Sequence, residues 1–424
     1  MKKTKVAVIG LGYVGFPLLC SIGISKKYET IGFDLSASKV ELAKKHISPV
    51  QDELAESLIK DTVYEVSTDP DILKDTDIFI ICVPTPIDEM FVPDYTPVIK
   101  ASETVAKYIK KGGYIVLEST VNPGTCEEIM QPLLEEKTGM KAGKDFELAH
   151  CPERIDPGNT KWNVKNLPRN IGALTKEGCA YLADFYREVL DGDINEMESI
   201  KEAEATKIIE NAFRDINIAY VNELAKSFDV LGIDLINVIK GASSKFSFMP
   251  HYPGPGVGGH CIAVDPYYLI ERAKKAGFDH VFLRKAREVN NSMPYYTVER
   301  LIHGLNDASK SIKGSQIALL GLSYKKNISD LRESPSLKIK SILEKEYGAK
   351  LRIYDPYNLE LSTHKTLEEV LKGADAVIIA TDHSEFVQHP TAEWAKIPVI
   401  VDGRNCLDKI ELLDRGVIYK GIGR

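Results

Sequence analysis

Lys5-Val-Ala-Val-Ile-Gly10-Leu-Gly12-Tyr-Val-Gly15 is a short apolar run that passes straight into a G-x-G-x-x-G turn. In that pattern the first glycine permits the tight turn, the second lets the backbone approach a pyrophosphate, and the third lets the following helix pack close. The helix N-terminus then faces the phosphates, where its unpaired N–H groups and its dipole favour an anion. A glycine pattern alone is weak support. Here the next apolar run, residues 30–33, is followed by Asp34, 22 residues beyond Gly12. A carboxylate at that place hydrogen-bonds a ribose 2′-hydroxyl and repels a 2′-phosphate, so the expected cofactor is NAD rather than NADP. Lys39 either lies along the adenosine ribose or is an ordinary solvated helix lysine.

Outward from this stretch, apolar runs recur at 78–83, 114–118, 146–151 and 170–174, with amphipathic segments between them. Such alternation predicts a doubly wound α/β fold around a parallel sheet. Residues 193–231 contain neither Gly nor Pro, and Ile208, Ile209, Ala212, Ile216, Ala219 and Tyr220 recur at helical spacing. One long central helix is predicted, its apolar stripe serving either as core or as a dimer interface. A second strand series at 316–320, 350–354, 376–380 and 399–402 predicts another, smaller Rossmann-like domain. The expected division is an N-terminal NAD-binding Rossmann domain at 1–195, a central helical region at 196–305 and a C-terminal Rossmann-like domain at 306–424.

The 424 residues are 44% hydrophobic and 27% charged, an ordinary composition for a soluble globular protein. A net charge of −7 without any Lys/Arg run argues against a general nucleic-acid binder. No apolar stretch reaches the length of a membrane span. Gly10, Gly12, Gly15 and Pro17 break the one segment that looks like a secretory leader. Seven cysteines without metal-ligand spacing point to reduced thiols, no metal centre and a cytoplasmic location.

The segment richest in chemistry is Tyr252-Pro-Gly254-Pro-Gly256-Val-Gly258-Gly259-His260-Cys261-Ile-Ala-Val-Asp265. A cysteine is more often a small buried hydrophobe than a nucleophile. Here the glycine-rich approach leaves the thiol open to a ligand, and Asp265 is near enough along the chain to handle protons. A thiolate traps an aldehyde as a thiohemiacetal, from which a second hydride can leave, so Cys261 suits a dehydrogenase that needs an acyl intermediate. His260 either activates the thiol or braces the turn. On the long helix Lys207, Asn211 and Arg214 share one face. That stripe is either solvated or aims a lysine and an amide into a cleft between the sheet domains, holding an oxyanion and a water. Thr85, Thr120 and Glu153 follow the third, fourth and fifth strands, at the carboxyl edge where open α/β sheets bind ligands. Gly321-Leu-Ser-Tyr324-Lys325-Lys326-Asn327 has neither a dinucleotide fingerprint nor a P-loop, yet Lys325, Arg332 and Arg404 offer cations for a second nucleotide.

Taken in order from Val6 to Asn405, the segments GLGYVG, VPTP, EST, CPERIDPG, KIIENAFRDINIAYVNEL, PGPGVGGHCIAVDPYYL, GLSYKKNISDLRESP and VDGRN resemble the UDP-glucose/GDP-mannose dehydrogenase family. The resemblance implies a homodimer of two-Rossmann-domain subunits built on the central helix, with NAD on the N-terminal sheet and a UDP-sugar against the C-terminal domain. It implies NAD-dependent four-electron oxidation of the sugar C6 alcohol to a carboxylate, with Cys261 as nucleophile and Asp265 as its proton-handling partner. By the same match Lys207 and Asn211 steady an oxyanion and order water, and Glu153 and Thr120 assist through that water. Glu153 is also a candidate base for thioester hydrolysis. Tyr252, Gly258, Lys325 and Arg404 match substrate contacts, and Arg332 a cofactor contact reached across the interdomain cleft. The stretch FSFMPHYPGPGVGGHCIAVDPYYL, with VPTPIDE and CPERIDPGN, is more similar to the UDP-N-acetylhexosamine branch than to the UDP-glucose branch. UDP-N-acetylglucosamine is the first expectation, with the mannosamine and galactosamine epimers and UDP-glucose as alternatives. A two-electron hydroxyacid dehydrogenase, in which Cys261 is incidental, and a dinucleotide sensor without turnover are the competing readings.

Overall fold

The computed structural model describes residues 3–50, 53–88, 92–155, 161–259 and 261–424. Glu89 of VPTPIDE, residues 156–160 at the end of the CPERIDPGN stretch, and His260 lie outside the described residues. The chain divides into two compact units. One comprises residues 1–210 and 267–276, the other residues 211–266 and 277–424.

In the first unit β1 (Lys5–Ile9), β2 (Glu29–Phe33), β3 (Glu65–Ser67), β4 (Ile78–Ile81), β5 (Tyr114–Leu117), β6 (Glu147–His150), β7 (Arg169–Ala173) and β8 (Ile194–Glu196) form one sheet. Its order is β3-β2-β1-β4-β5-β6-β7-β8, and the first six strands reproduce the 3-2-1-4-5-6 order of dinucleotide-binding sheets. Side chains alternate between faces. Val6, Val8, Ile78 and Ile80 pack on one side with Phe16, Leu18 and Leu19 of the Gly15–Ser25 helix. Ala7, Ile9, Phe79 and Ile81 pack on the other with Val98 and Val105 of the Thr96–Ala106 helix. Burial on both faces is why these strands read as unbroken apolar runs.

One pairing departs from expectation. β7 runs antiparallel to β6, with Ala149 opposite Ala173, so the series is not parallel throughout. A parallel return needs a crossover, usually a helix. Among the described residues between β6 and β7 there is none.

In the second unit β9 (Gln316–Leu320), β10 (Lys350–Tyr354), β11 (Ala376–Ile379), β12 (Val399–Asp402) and β13 (Ile418–Gly421) form a parallel sheet of order β10-β9-β11-β12-β13. This is the 2-1-3-4-5 order of the other common doubly wound sheet, and its direction of growth reverses between β9 and β11.

The central helix runs from Ile200 to Leu231. Its polar residues Glu204, Lys207, Asn211, Asp215 and Asn222, spaced by three, four and seven, are all buried. Among its large apolar residues Ile208 and Val221 are buried, while Ile209, Phe213 and Tyr220 are about half exposed, at 54%, 46% and 56%. The helix therefore buries a polar row alongside apolar Ala203, Ile208, Ala212, Ala219, Val221 and Ala225, and leaves a second apolar row outward. Arg214, expected on the stripe of Lys207 and Asn211, is exposed instead.

Candidate active site

The first unit supplies a dinucleotide cradle. Gly10 adopts φ 95° as the chain leaves β1, a left-handed conformation suited to glycine. A Cβ on Gly15 would collide with the Gly10 carbonyl, so that position must be glycine for the helix to start where it does. Gly12 has open space around it, with nothing within 4 Å of where a Cβ would lie, leaving its backbone accessible to a pyrophosphate. Asp34 follows β2 and is nearly buried. It accepts from the Leu11 N–H at 2.7 Å and the Ser36 N–H at 2.8 Å, and Lys39 pairs with it at 3.4 Å. The Asp34 carboxylate is thus tied to the glycine turn.

Thr85 and Thr120 stand at the carboxyl ends of β4 and β5. Thr85 is buried, and its carbonyl accepts from the Tyr268 hydroxyl. Glu153, just past β6, is buried and accepts from the Ile155 N–H at 2.6 Å. Burial pushes its pKa above the ordinary glutamate value, against the opposing pull of Arg169 and Lys207. Arg169 had no signal in the sequence. It is fully buried on β7, pairs with Glu118 at 2.9 Å, and Glu118 also accepts from the Tyr186 hydroxyl at 2.6 Å. Glu204 was also missed. Its carboxylate accepts from the Gly124 and Cys126 N–H groups, fixing the turn that follows Thr120. Donor atoms of Cys126, His150 and Glu204 lie within 4.8 Å of one another, a gathering of metal-type ligands that sequence spacing did not disclose.

The second unit supplies the thiol. Cys20, Cys82, Cys126, Cys151 and Cys179 are buried and Cys406 partly so, whereas Cys261 is exposed. The Cys261 carbonyl accepts from the Val264 N–H at 3.2 Å and the Asp265 N–H at 2.8 Å, which sets the thiol at the head of the Asp265–Lys275 helix. Asp265 is buried and accepts from the Asn211 side-chain amide at 2.6 Å, so the aspartate and one of the two central-helix candidates form a direct pair. The glycines before Cys261 are needed for close approach. A Cβ on Gly258 would lie 2.6 Å from Tyr324 Cβ and 2.8 Å from the Glu333 carbonyl oxygen. The Gly259 N–H donates to the Arg332 carbonyl at 2.9 Å. Further back, Gly254 N–H donates to Asn222 at 2.9 Å, Asn222 donates to Asn290 at 2.9 Å, and Asn290 and Arg287 both reach Asp215.

Arg332 is clamped by Asp330, whose carboxylate takes its guanidinium at 2.6 and 3.0 Å. Asp330 holds the arginine pKa above its ordinary value, and Tyr324 and Cys261 add to that effect. Arg404 donates to the carbonyls of Ala380 at 3.0 Å and Tyr324 at 3.1 Å. Lys325 is half-buried in the loop after β9, and Tyr252 is 59% exposed. The structure thus groups Cys261, Asp265, Asn211, Tyr252, Gly258, Lys325, Arg332 and Arg404 in one unit, and the glycine turn, Asp34, Lys39, Thr85, Thr120, Glu153 and Lys207 in the other.

Family models match in the same order as the units' parts: an NAD binding domain of the UDP-glucose/GDP-mannose dehydrogenase family at residues 4–190, its central domain at 201–292, and its UDP binding domain at 318–409. The chain belongs to the UDP-glucose/GDP-mannose dehydrogenase family. It is an NAD-dependent oxidoreductase of UDP-sugars. A relative named UDP-N-acetyl-D-glucosamine 6-dehydrogenase, from Pseudomonas aeruginosa, is 38% identical over 91% of this chain and 92% of its own. A solved UDP-D-ManNAc dehydrogenase from Pyrococcus horikoshii superimposes with a TM-score of 0.92 at 34% identity, covering 99% of each chain. An NDP-N-acetyl-D-galactosaminuronic acid dehydrogenase from Methanosarcina mazei gives 0.88 at 32% identity, over 100% of this chain and 96% of that one. The two Rossmann-like sheets are therefore the family's fold. No helix among the described residues is long and apolar enough to cross a membrane.

Proposed function

We propose that the chain oxidises the C6 alcohol of a UDP-N-acetylhexosamine, UDP-N-acetylglucosamine first, to the carboxylate in a four-electron reaction with Cys261 as covalent nucleophile. The observation that carries this reading is the exposed Cys261 thiol at the head of a helix whose first residue, Asp265, is bonded to Asn211. The relatives named for N-acetylated sugars support the choice of substrate class; their names divide among three epimers, which is why mannosamine and galactosamine stay as alternatives.

NAD, when bound, would rest its pyrophosphate on Gly10, Gly12 and Gly15 and its adenosine ribose on Asp34 and Lys39, and would supply the hydride acceptor for each of the two oxidations. In the first, C6 loses a hydride as its hydroxyl gives up a proton, through water ordered by Lys207 and Asn211, to Asp265, leaving an aldehyde. The Cys261 sulfur adds to the aldehyde carbon, and Lys207 and Asn211 steady the thiohemiacetal oxygen. Loss of the second hydride leaves a thioester. Water, deprotonated by Glu153 and positioned with Thr120, cleaves it, releasing the carboxylate and returning the thiol. Lys325, Arg404, Tyr252 and Gly258 hold the UDP-sugar, and Arg332 contacts the cofactor. The active species is a homodimer built on the central helix.

The test is a panel of UDP-N-acetylglucosamine, its two epimers and UDP-glucose with NAD, counting NADH per sugar consumed. The expected ratio is two, with the uronate as product. A ratio of one returns the two-electron reading, and binding without turnover the sensing reading. Cys261→Ser should bind NAD and UDP-sugar normally yet release no uronate.

A further inference from the structure

β9 and β11 are neighbours at the point where the second sheet reverses its direction of growth. Ligands of doubly wound sheets bind at such a point, outside the carboxyl ends of the strands. The loop leaving β9 carries Lys325, and the loop leaving β11 carries His383. His383 is fully buried, stacked on Tyr357 with ring centroids 5.1 Å apart and edge-on to Phe386 at 5.4 Å. Packing alone would be served there by a phenyl ring.

The ring's polar atoms are spent on the Lys325 loop. Nδ1 accepts from the Asn327 backbone N–H at 2.9 Å. A backbone N–H can only donate, so Nδ1 carries no proton and Nε2 carries the one of the neutral ring. Nε2–H faces Ser323 Oγ at 3.1 Å and the Asp355 carboxylate at 3.4 Å. Ser323 Oγ in turn donates to the Lys325 carbonyl at 3.2 Å. One imidazole therefore grips the segment on both sides of Lys326, directly at Asn327 and through a hydroxyl at Lys325. Its surroundings are fixed in the same way. Asp355 takes the N–H groups of Leu322 at 2.6 Å and Ser323 at 2.9 Å. Against the upward push of burial, the bonds from His383 and Ser323 hold its carboxyl well below the ordinary range. Asn327, at φ 60°, exchanges two hydrogen bonds with Ser384, the residue after His383.

We propose that His383 is the positioning residue of the nucleotide subsite: its two ring nitrogens hold the 323–327 loop in the one shape that presents Lys325 to the UDP moiety. The inference rests on the reading of Lys325 as a substrate contact. His383 itself touches no substrate.

Three variants of the full chain test it, with UDP binding measured by calorimetry alongside steady-state kinetics. His383→Phe keeps the stacking and loses both hydrogen bonds. UDP affinity should fall about tenfold, the loss expected for one or two hydrogen bonds, and KM for the UDP-sugar should rise in step. NAD affinity and kcat at saturation should hold within about twofold of the parent, as expected of a residue remote from the chemistry. His383→Gln, with an acceptor oxygen and a donor amide group, should recover most of the loss. If His383 acts through Lys325, the His383→Phe/Lys325→Ala pair should bind UDP no more weakly than Lys325→Ala alone. Additive losses, or a folded His383→Phe with parental UDP affinity, would overturn the proposal. Should the Phe variant fail to fold, Ser323→Ala replaces it. It removes the link to Lys325 with little change in volume, so a weaker UDP affinity supports the proposal and an unchanged one sinks it. If Lys325→Ala alone leaves UDP binding intact, the substrate assignment of Lys325 is what has failed, and His383 falls with it.

Discussion

Glu153 is a carboxylate held out of water at the end of β6, with cationic Arg169 and Lys207 pulling against its burial. Burial wins, and the proton is kept to a higher pH than on a free glutamate. The sign of the pH effect follows. A base works deprotonated, so its share of activity is complete at high pH and is lost as pH falls through a value above the ordinary ~4.3. Uronate release should therefore show an acid limb above the usual carboxylate range. Glu153→Gln should abolish that limb and lower the plateau by about a hundredfold or more, the usual worth of a general base. A Gln variant that keeps the same limb in its pH–rate profile would assign the titration to another group.

At the level of elements, the loop that leads to Cys261 is held by a relay from the central helix. Asp215, Asn222 and Asn290 pass hydrogen bonds along to the Gly254 N–H, all in buried surroundings. Asn222→Leu removes an acceptor from Gly254 and a donor from Asn290 and should destabilise the fold by about 2–3 kcal/mol, the cost of stranding buried partners. Thermal unfolding would register this, and kcat/KM for the sugar should fall while NAD affinity stays. The relay marks where the sequence was legible and where it was not. The bounds of β1, β9 and β12 coincide with apolar runs read directly from the chain, because strands buried on both faces leave unbroken signals, and those of β10, an edge strand, coincide as well. β3 and β8 have three residues each, too few to show a period, and nothing in five buried residues of β7 discloses its antiparallel direction. Among the candidate residues, Lys207 with Asn211, and Cys261 with Asp265, could be read as pairs because a spacing of four is local. Arg169 meets Glu118 across 51 positions, and His383 meets Ser323 across 60. Such partners become neighbours only when strands pair.

Across the whole molecule, the unbalanced feature is the central helix. A surface helix ordinarily turns its apolar stripe inward. This one buries Glu204, Lys207, Asn211, Asp215 and Asn222 and leaves Ile209, Phe213 and Tyr220 largely exposed, with Phe246, Met249 and Tyr252 exposed further along the chain. The buried face already holds Ile208, Ala212, Ala219, Val221 and Ala225 beside that polar row, so Ile209, Phe213 and Tyr220 form a second apolar row on the outward face. A contiguous exposed apolar stripe marks an interaction surface. A second copy of the chain satisfies it most simply, since two-fold contacts bring the same surface against itself. In sedimentation velocity the parent protein should run as a dimer at micromolar concentration. Phe213→Glu with Tyr220→Glu places charges where an interface core excludes them, and dissociation should become at least thirtyfold easier, as for loss of an aromatic anchor. The substituted positions point away from the buried polar stripe, so NAD affinity should survive the change. If the double variant sediments with the parent, the stripe is not the dimer contact. If the parent itself runs as a monomer, the homodimer assignment fails and the exposed apolar groups need another partner.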